Sequence, residues 1–152
     1  MKLFTKCPIG KMELKNRIVM APMGTSSDSD GGFSVRTIRY FEERAKGGTG
    51  LIITGRMASI ADYEGFSQGA LTNYHHVSRL SSLAEHVHMY GAKLCVQIGP
   101  GLGRLMGKDP YNAPYSASAI PSYFFPNLTC RVLTVDDINK ITDRVGYSAK
   151  LA

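Results

Sequence analysis

The chain has 152 residues, the length of one ordinary domain, and its 43% hydrophobic and 20% charged content is that of a globular protein. No apolar run nears the roughly 18 residues of a membrane span, and the opening MKLFTKCP lacks the apolar stretch of a secretory signal, so a cytoplasmic protein with no membrane partner is expected. The net charge of +6 comes from scattered Lys and Arg, with no basic run and no stacking aromatics among them, which argues for a solvated surface and against a nucleic-acid partner.

Cys7, Cys95 and Cys130 are odd in number and far apart, and none forms a C-x-x-C pair. A disulfide framework or a metal site within the chain is therefore not expected, and Cys95, inside an apolar run, reads as a small buried hydrophobe. The sequon Asn127-Leu128-Thr129 carries no weight without secretion.

In chain order, Ile9-Gly10-Lys11-Met12 first reads as the turn of a small hairpin. Three apolar runs follow, RIVMA (17–21), LIIT (51–54) and KLCVQI (93–98). None alternates cleanly and Ile and Val recur, as in parallel strands buried on both faces. The stretch D28-S-D-G-G-F33 begins like a calcium loop, but Gly32, Phe33 and Arg39 stand at its fifth, sixth and twelfth positions, so it predicts a turn. Ser34 is placed to cap a helix with Ile38, Phe41 and Ala45 on its core face, ending at Gly47-Gly48.

A second helix carries the stripe Val77, Leu80, Ala84 and Val87 and stops at Gly91. His75 and His76 are expected to precede that helix, at the surface or in the cap, and His86 and His88 are two apart and share no face. The third helix opens at Thr134 with Asp137 as a capping box, and turns Ile138, Ile141 and Val145 to the core. The order is hairpin, β, α, β, α, β, long loop, α. Strand starts about 34 and about 42 residues apart suit βαβ units. The pattern of the third helix continues to Ala152, and three parallel strands leave open edges and an uncovered apolar face. The expectation is the first part of a larger fold.

The stretch K93-L-C-V-Q-I-G-P-G-L-G-R104 changes from apolar to Gly-rich, as a strand does when it delivers a loop to a ligand. A phosphate cradle fails on spacing. The third glycine of G-x-G-x-x-G would fall on Arg104 or Met106, and Gly107-Lys108 is followed by Asp109 where a Walker loop needs Ser or Thr.

In βα architectures ligands lie beyond the carboxyl ends of the strands, here Pro22-Met23-Gly24-Thr25, Gly55-Arg56-Met57 and Gln97-Ile98-Gly99. These ends hold no carboxylate pair, no Ser-His-Asp set and no metal cluster. They offer backbone bared by Gly and Pro, one hydroxyl and one amide, which suits a planar heterocycle better than hydrolysis. Gln97 can donate and accept at once, as an amide-like ring edge requires; the bland reading is a buried amide bonded to loop backbone.

The segments N16-R-I-V-M-A-P-M-G-T25, Y40-F-E-E-R-A-K-G-G-T-G50 leading into L51-I-I-T-G55, H86-V-H-M-Y-G-A-K-L-C-V-Q97 and R131-V-L-T-V-D-D-I138 resemble the N-terminal part of the Old Yellow Enzyme family. The likeness is strongest to its large bacterial 2-enoate reductase and 2,4-dienoyl-CoA reductase branch. The resemblance implies an α/β fold, a partial TIM (β/α)8 barrel made of the N-terminal hairpin and the first three βα units. Residues 1–152 would be the N-terminal portion of an FMN-binding barrel domain, truncated within the third helix.

It further implies that Pro22, Met23 and the next residue lie against the isoalloxazine ring of FMN. The backbone at Gly55-Arg56 lies beside the flavin, and the Gln97 amide pairs with its pyrimidine edge. Two departures stand out. Relatives often carry Cys or Thr where this chain has Gly24, so the Thr25 hydroxyl either substitutes from one residue further on or does not reach. Relatives commonly read Q-x-x-H-x-G-R after the third strand, whereas Gln97-Ile-Gly-Pro-Gly-Leu-Gly103-Arg104 is one residue longer and lacks the His.

By the same resemblance the parent enzyme is an NAD(P)H:flavin oxidoreductase. It reduces the activated C=C bond of an enoate-like substrate, with hydride from flavin and a proton from a side chain. The substrate-binding pair, the proton donor, the FMN phosphate site, a 4Fe-4S cluster and an FAD/NAD(P)H module would all lie outside this chain, so no catalytic residue is assigned within it. A homo-oligomer stays open. The rival reading is a non-catalytic structural or binding fragment of a split or truncated gene. The Tyr- and Phe-rich loop from Pro110 to Pro126 is either a lid packed on the barrel side or a wall of the substrate pocket.

Overall fold

The computed structural model describes residues 2–60, 63, 69–106 and 110–152. After a 3-10 turn at Lys2–Phe4, strands β1 (Cys7–Ile9) and β2 (Met12–Leu14) form the expected antiparallel hairpin, closing at Ile9↔Met12. Gly10 sits at the first turn position with φ +57 and Lys11 has no positive φ, which is the demand of a II′ turn.

Then come β3 (Val19–Met23), α1 (Val35–Lys46), β4 (Leu51–Thr54), β5 (Met57–Ala58), α2 (Tyr74–His88), β6 (Lys93–Cys95) and β7 (Ile98–Gly99). The strands β3, β4 and β6 are parallel and adjacent in that order, as the apolar runs predict. Two boundaries differ from the apolar runs, each for a backbone reason. Met20 pairs with Ile52 and Met23 with Thr54, so Ala21 and Pro22 together oppose Ile53. Pro22 has no N–H to give a ladder, and the extra residue makes a bulge that carries β3 on to Met23. The third strand breaks after Cys95 and resumes as β7, which pairs with β5.

Ser34 caps α1 by accepting from the Thr37 N–H at 3.1 Å, and Ile38, Phe41 and Ala45 are buried as its core face. Asn73 caps α2, whose buried stripe is Leu80, Leu83 and Val87. Leu83 takes the place expected of Ala84: both neighbour the stripe, and the larger apolar side chain is the one turned inward. Phe33, Phe41, Ile52, Met57, Leu83 and Val87 are fully buried between this helix layer and the sheet.

Strands β8 (Tyr115–Ser116) and β9 (Arg131–Val132) pair in parallel and lead into α3 (Val135–Leu151), which opens on the capping box of Thr134 and Asp137. Ile141 and Ser148, two turns apart, form its buried stripe, and the Ser148 hydroxyl donates to the Leu71 carbonyl at 2.6 Å. Ile138, in the first turn of the helix and ten residues from that anchor, is 50% exposed, against the expectation that it faces the core.

Met20, Ile52 and Leu94 point to the helices, so the alternate residues Val19, Ala21, Ile53 and Cys95 line the other face, which no helix among the described residues covers. Cys95 is exposed there, not buried as its apolar neighbours imply. Opposite the carboxyl ends, the Lys15 ammonium donates to the Ala45 and Tyr90 carbonyls, at 3.4 and 2.6 Å, where α1 and α2 end.

Candidate functional site

The carboxyl ends of β3 and β4 meet backbone to backbone. A Cβ at Gly55 would stand 2.6 Å from both the Gly24 Cα and the Met23 carbonyl oxygen, so only glycine fits. The bulge before Met23 and the bare Gly24 stand at this same contact. Pro22, Met23 and Gly24 are exposed at the carboxyl end of β3, and Thr25 is half-buried.

On the other flank, Gln97 lies in the gap between β6 and β7. Its N–H donates to the Thr54 hydroxyl at 3.1 Å and its carbonyl accepts from the Met57 N–H at 2.8 Å. Both backbone groups are engaged while the residue is exposed, so its side chain is not the buried amide of the bland reading. Arg56 reaches across to the same strand, donating from Nη1 to the Gly99 carbonyl at 3.2 Å. Its stem lies over Gly99, where a Cβ would come within 3.5 Å of the Arg56 Cδ.

Pro22–Thr25, Gly55–Arg56 and Gln97 are therefore brought together at one edge of three adjacent parallel strands. Sequence reasoning missed Thr54, which is fully buried and touches both flanks: it pairs with Met23 on one side and holds Gln97 on the other. Its one signal was a hydroxyl ending an otherwise aliphatic strand. His76 was also misjudged. It is 1% exposed, with Nε2 donating to the Asp30 carbonyl at 2.8 Å and Nδ1 accepting from the Thr72 N–H at 3.1 Å.

That ring braces the turn after β3 to the start of α2. His75 adds an exposed contact to the Asp30 carboxylate at 2.7 Å. The Gly32 N–H, and after it His75, hold the Asp30 carboxyl below the usual carboxylate range. The 28–33 segment is the expected turn, with Ser27 bridged to Phe33 and the Asp28 N–H donating to the Gly32 carbonyl at 2.9 Å.

The long loop is tied down by backbone bonds, Tyr123 N–H to the Arg104 carbonyl at 2.9 Å and Cys130 N–H to the Ile120 carbonyl at 2.8 Å. Tyr111, Tyr123 and Phe124 stay exposed, whereas Tyr115 meets the Tyr63 ring edge-on at 4.7 Å. Gly107, Lys108 and Asp109, the residues of the rejected Walker reading, lie outside the described residues. Among the described residues there is no group of three His, Cys, Asp or Glu side chains placed to hold a metal, and no helix long and apolar enough to cross a membrane.

The sequence model of the NADH:flavin oxidoreductase / NADH oxidase family matches residues 2–152. A cinnamate reductase of Clostridium sporogenes is 36% identical over 162 aligned residues, covering 99% of this chain and 24% of that protein. An NADH oxidase of Thermoanaerobacter brockii is 35% identical, over 93% of this chain and 22% of its own length. The chain thus spans about a quarter of the length of these relatives. Among solved structures, Old Yellow Enzyme from Pichia sp. AKU4542 superposes with a TM-score of 0.82 at 23% identity, over 99% of this chain and 42% of that one. The fold is accordingly a partial (β/α)8 barrel: hairpin, then the first βα units.

Proposed function

The chain belongs to the NADH:flavin oxidoreductase / NADH oxidase family, and from that premise we propose that it is the N-terminal portion of an FMN-dependent ene-reductase acting on enoate-like substrates. The observation that carries the reading is the convergence of Pro22–Thr25, Gly55–Arg56 and Gln97 on one strand edge. The donor set fits FMN. Exposed Pro22 and Met23 offer an apolar shelf to a flat ring and exclude water from it. Gly24 keeps the exposed backbone bare, buried Gly55 lets β3 close against β4, and the Gln97 amide offers a donor and an acceptor to a ring edge that needs both.

FMN, when bound, supplies hydride chemistry toward an activated C=C bond, with NAD(P)H as the source of reducing equivalents. This chain's residues bind and orient the ring; we assign no proton donor among them. The identity to a cinnamate reductase supports an unsaturated acid as substrate. The better-matched relatives are also long, with this chain making 24% and 22% of them against 42% of the Pichia Old Yellow Enzyme. Their length supports a parent of the branch that carries FAD and a 4Fe-4S cluster outside this segment. The reading brings with it a cytoplasmic location, where NAD(P)H is at hand.

The test uses the full-length protein that contains these residues, purified and assayed for flavin absorbance and for NAD(P)H-dependent reduction of cinnamate and related enoates. Gln97→Ala should weaken FMN retention, because a hydrogen bond to a partly charged ring edge contributes about 1–3 kcal/mol. A protein without flavin that leaves enoates unreduced would return the chain to the rival reading of a non-catalytic fragment. A Gln97→Ala variant with unchanged flavin content would remove that residue from the site.

A further inference from the structure

We propose that Thr54 is a positioning residue that aims Gln97, and that the cofactor face depends on its side-chain oxygen; the inference rests on the reading of Gln97 given above. The sheet breaks between its two ladders. The β4–β6 ladder runs Leu51↔Lys93, Ile52↔Leu94 and Ile53↔Cys95, and the β5–β7 ladder begins at Met57↔Ile98. Between these pairs the second strand has three residues, Thr54, Gly55 and Arg56, and the third has only Val96 and Gln97. The strands cannot stay in register across that gap, so a backbone group near it must find a partner elsewhere.

The Gln97 N–H is that group, and the Thr54 Oγ1 is its partner at 3.1 Å. The Met57 N–H holds the Gln97 carbonyl at 2.8 Å, so both peptide groups of this residue are fixed by the β4–β5 segment. Fixing them sets the direction of its Cα–Cβ bond, and with it where the exposed amide can reach. Thr54 is fully buried, so solvent cannot readily take over the hydroxyl's part. The same residue is the backbone partner of Met23 across the bulge. Both flanks of the proposed flavin face are thereby referenced to one residue.

The experiment uses the full-length flavoprotein and the variants Thr54→Val, Thr54→Ser, Gln97→Ala and the double Thr54→Val/Gln97→Ala. Two quantities are read: hydrogen exchange at the Gln97 amide by mass spectrometry or NMR, and the FMN dissociation constant with the visible flavin spectrum. Val keeps the shape of Thr but accepts no hydrogen bond. It should speed exchange at Gln97 about tenfold and weaken FMN by a factor approaching that of Gln97→Ala. Ser should restore both to within about twofold. The double variant should bind FMN no worse than Gln97→Ala alone, since a residue acting only through Gln97 has nothing left to aim.

Unchanged exchange in Thr54→Val, alongside a Gln97→Ala that does lose FMN, would overturn the positioning role and leave the flavin reading standing. Additive losses in the double variant, or no rescue by Ser, would overturn it as well, as a merely structural threonine. A Gln97→Ala variant with unaltered FMN binding would sink the flavin reading itself, and the aiming role with it. If Thr54→Val does not fold, Thr54→Cys takes its place, because a thiol of similar size is only a weak acceptor and should give a partial effect in the same direction.

Discussion

At Gly55 a methyl group has no room: its carbon would overlap the Gly24 Cα and the Met23 carbonyl oxygen, both main-chain atoms that no rotamer change can move. Gly55→Ala should therefore force β3 and β4 apart at their carboxyl ends and cost about 1–3 kcal/mol, the range for overpacking a close-fitted contact. A urea melt of the full-length protein checks the stability, and its flavin content checks the site. Wild-type stability with wild-type flavin content would mean that the two strand ends have more freedom than their contact implies. Thr54 and Gly55 divide the work between them, the first holding Gln97 through its hydroxyl and the second admitting the neighbouring strand by having no side chain.

Among the elements, α3 carries the most specific local code. Asp137 Oδ2 accepts from the Thr134 N–H and hydroxyl, at 2.9 and 2.7 Å, while its Oδ1 accepts from the Tyr63 hydroxyl at 2.6 Å. Tyr63 first, then Thr134, holds the Asp137 carboxyl down to about 2 from its ordinary 3.8. A carboxyl depressed on folding favours the folded state above its unfolded value, and that contribution is lost as the pH falls through the folded value. The cap should therefore be insensitive to pH from neutrality to about 5 and should weaken as the pH falls from about 4 toward 2. An NMR titration of the Asp137 carboxyl reads this directly, and Asp137→Asn should flatten the stability profile in that window. A midpoint near 4 would show that neither the Tyr63 bond nor the Thr134 bonds to this carboxyl persist in solution.

For the whole molecule, the governing feature is the sheet face away from the helices, where Val19, Ala21 and Cys95 are exposed. Apolar residues on an exposed sheet face with open strand edges favour association. The 152-residue chain, made alone, should aggregate or show rapid amide exchange in β3 and β6, and should bind FMN far more weakly than the full-length protein. Purification of the chain, FMN titration by fluorescence quenching and an assay of enoate-dependent oxidation of reduced flavin make the test. Stoichiometric binding at low micromolar FMN, or turnover above free flavin, would show that these residues suffice by themselves.

Local chemistry alone determined a good deal of this protein. The Gly10 turn, the Ser34 cap, the Thr134–Asp137 box and the order of three parallel strands were all legible, because each depends on neighbours in sequence or on a short apolar run. The candidate residues Pro22, Gly55 and Gln97 could be named for a similar reason, since they interrupt such runs at the ends where ligands gather. What only the tertiary structure decided depends on distant partners. His76 is buried because Asp30 lies 46 positions away in sequence and against its ring. α3 buries Ile141 and Ser148 and leaves Ile138 half exposed, and the Ser148 bond to Leu71 spans 77 positions in sequence. Cys95 is exposed because alternation puts it on the face opposite the helices, which a run of apolar letters cannot reveal. Thr54 looks like the end of an aliphatic strand until a one-residue mismatch with the third strand leaves the Gln97 N–H without a main-chain partner. Register between strands is a property of two segments at once, so neither segment read alone contains it.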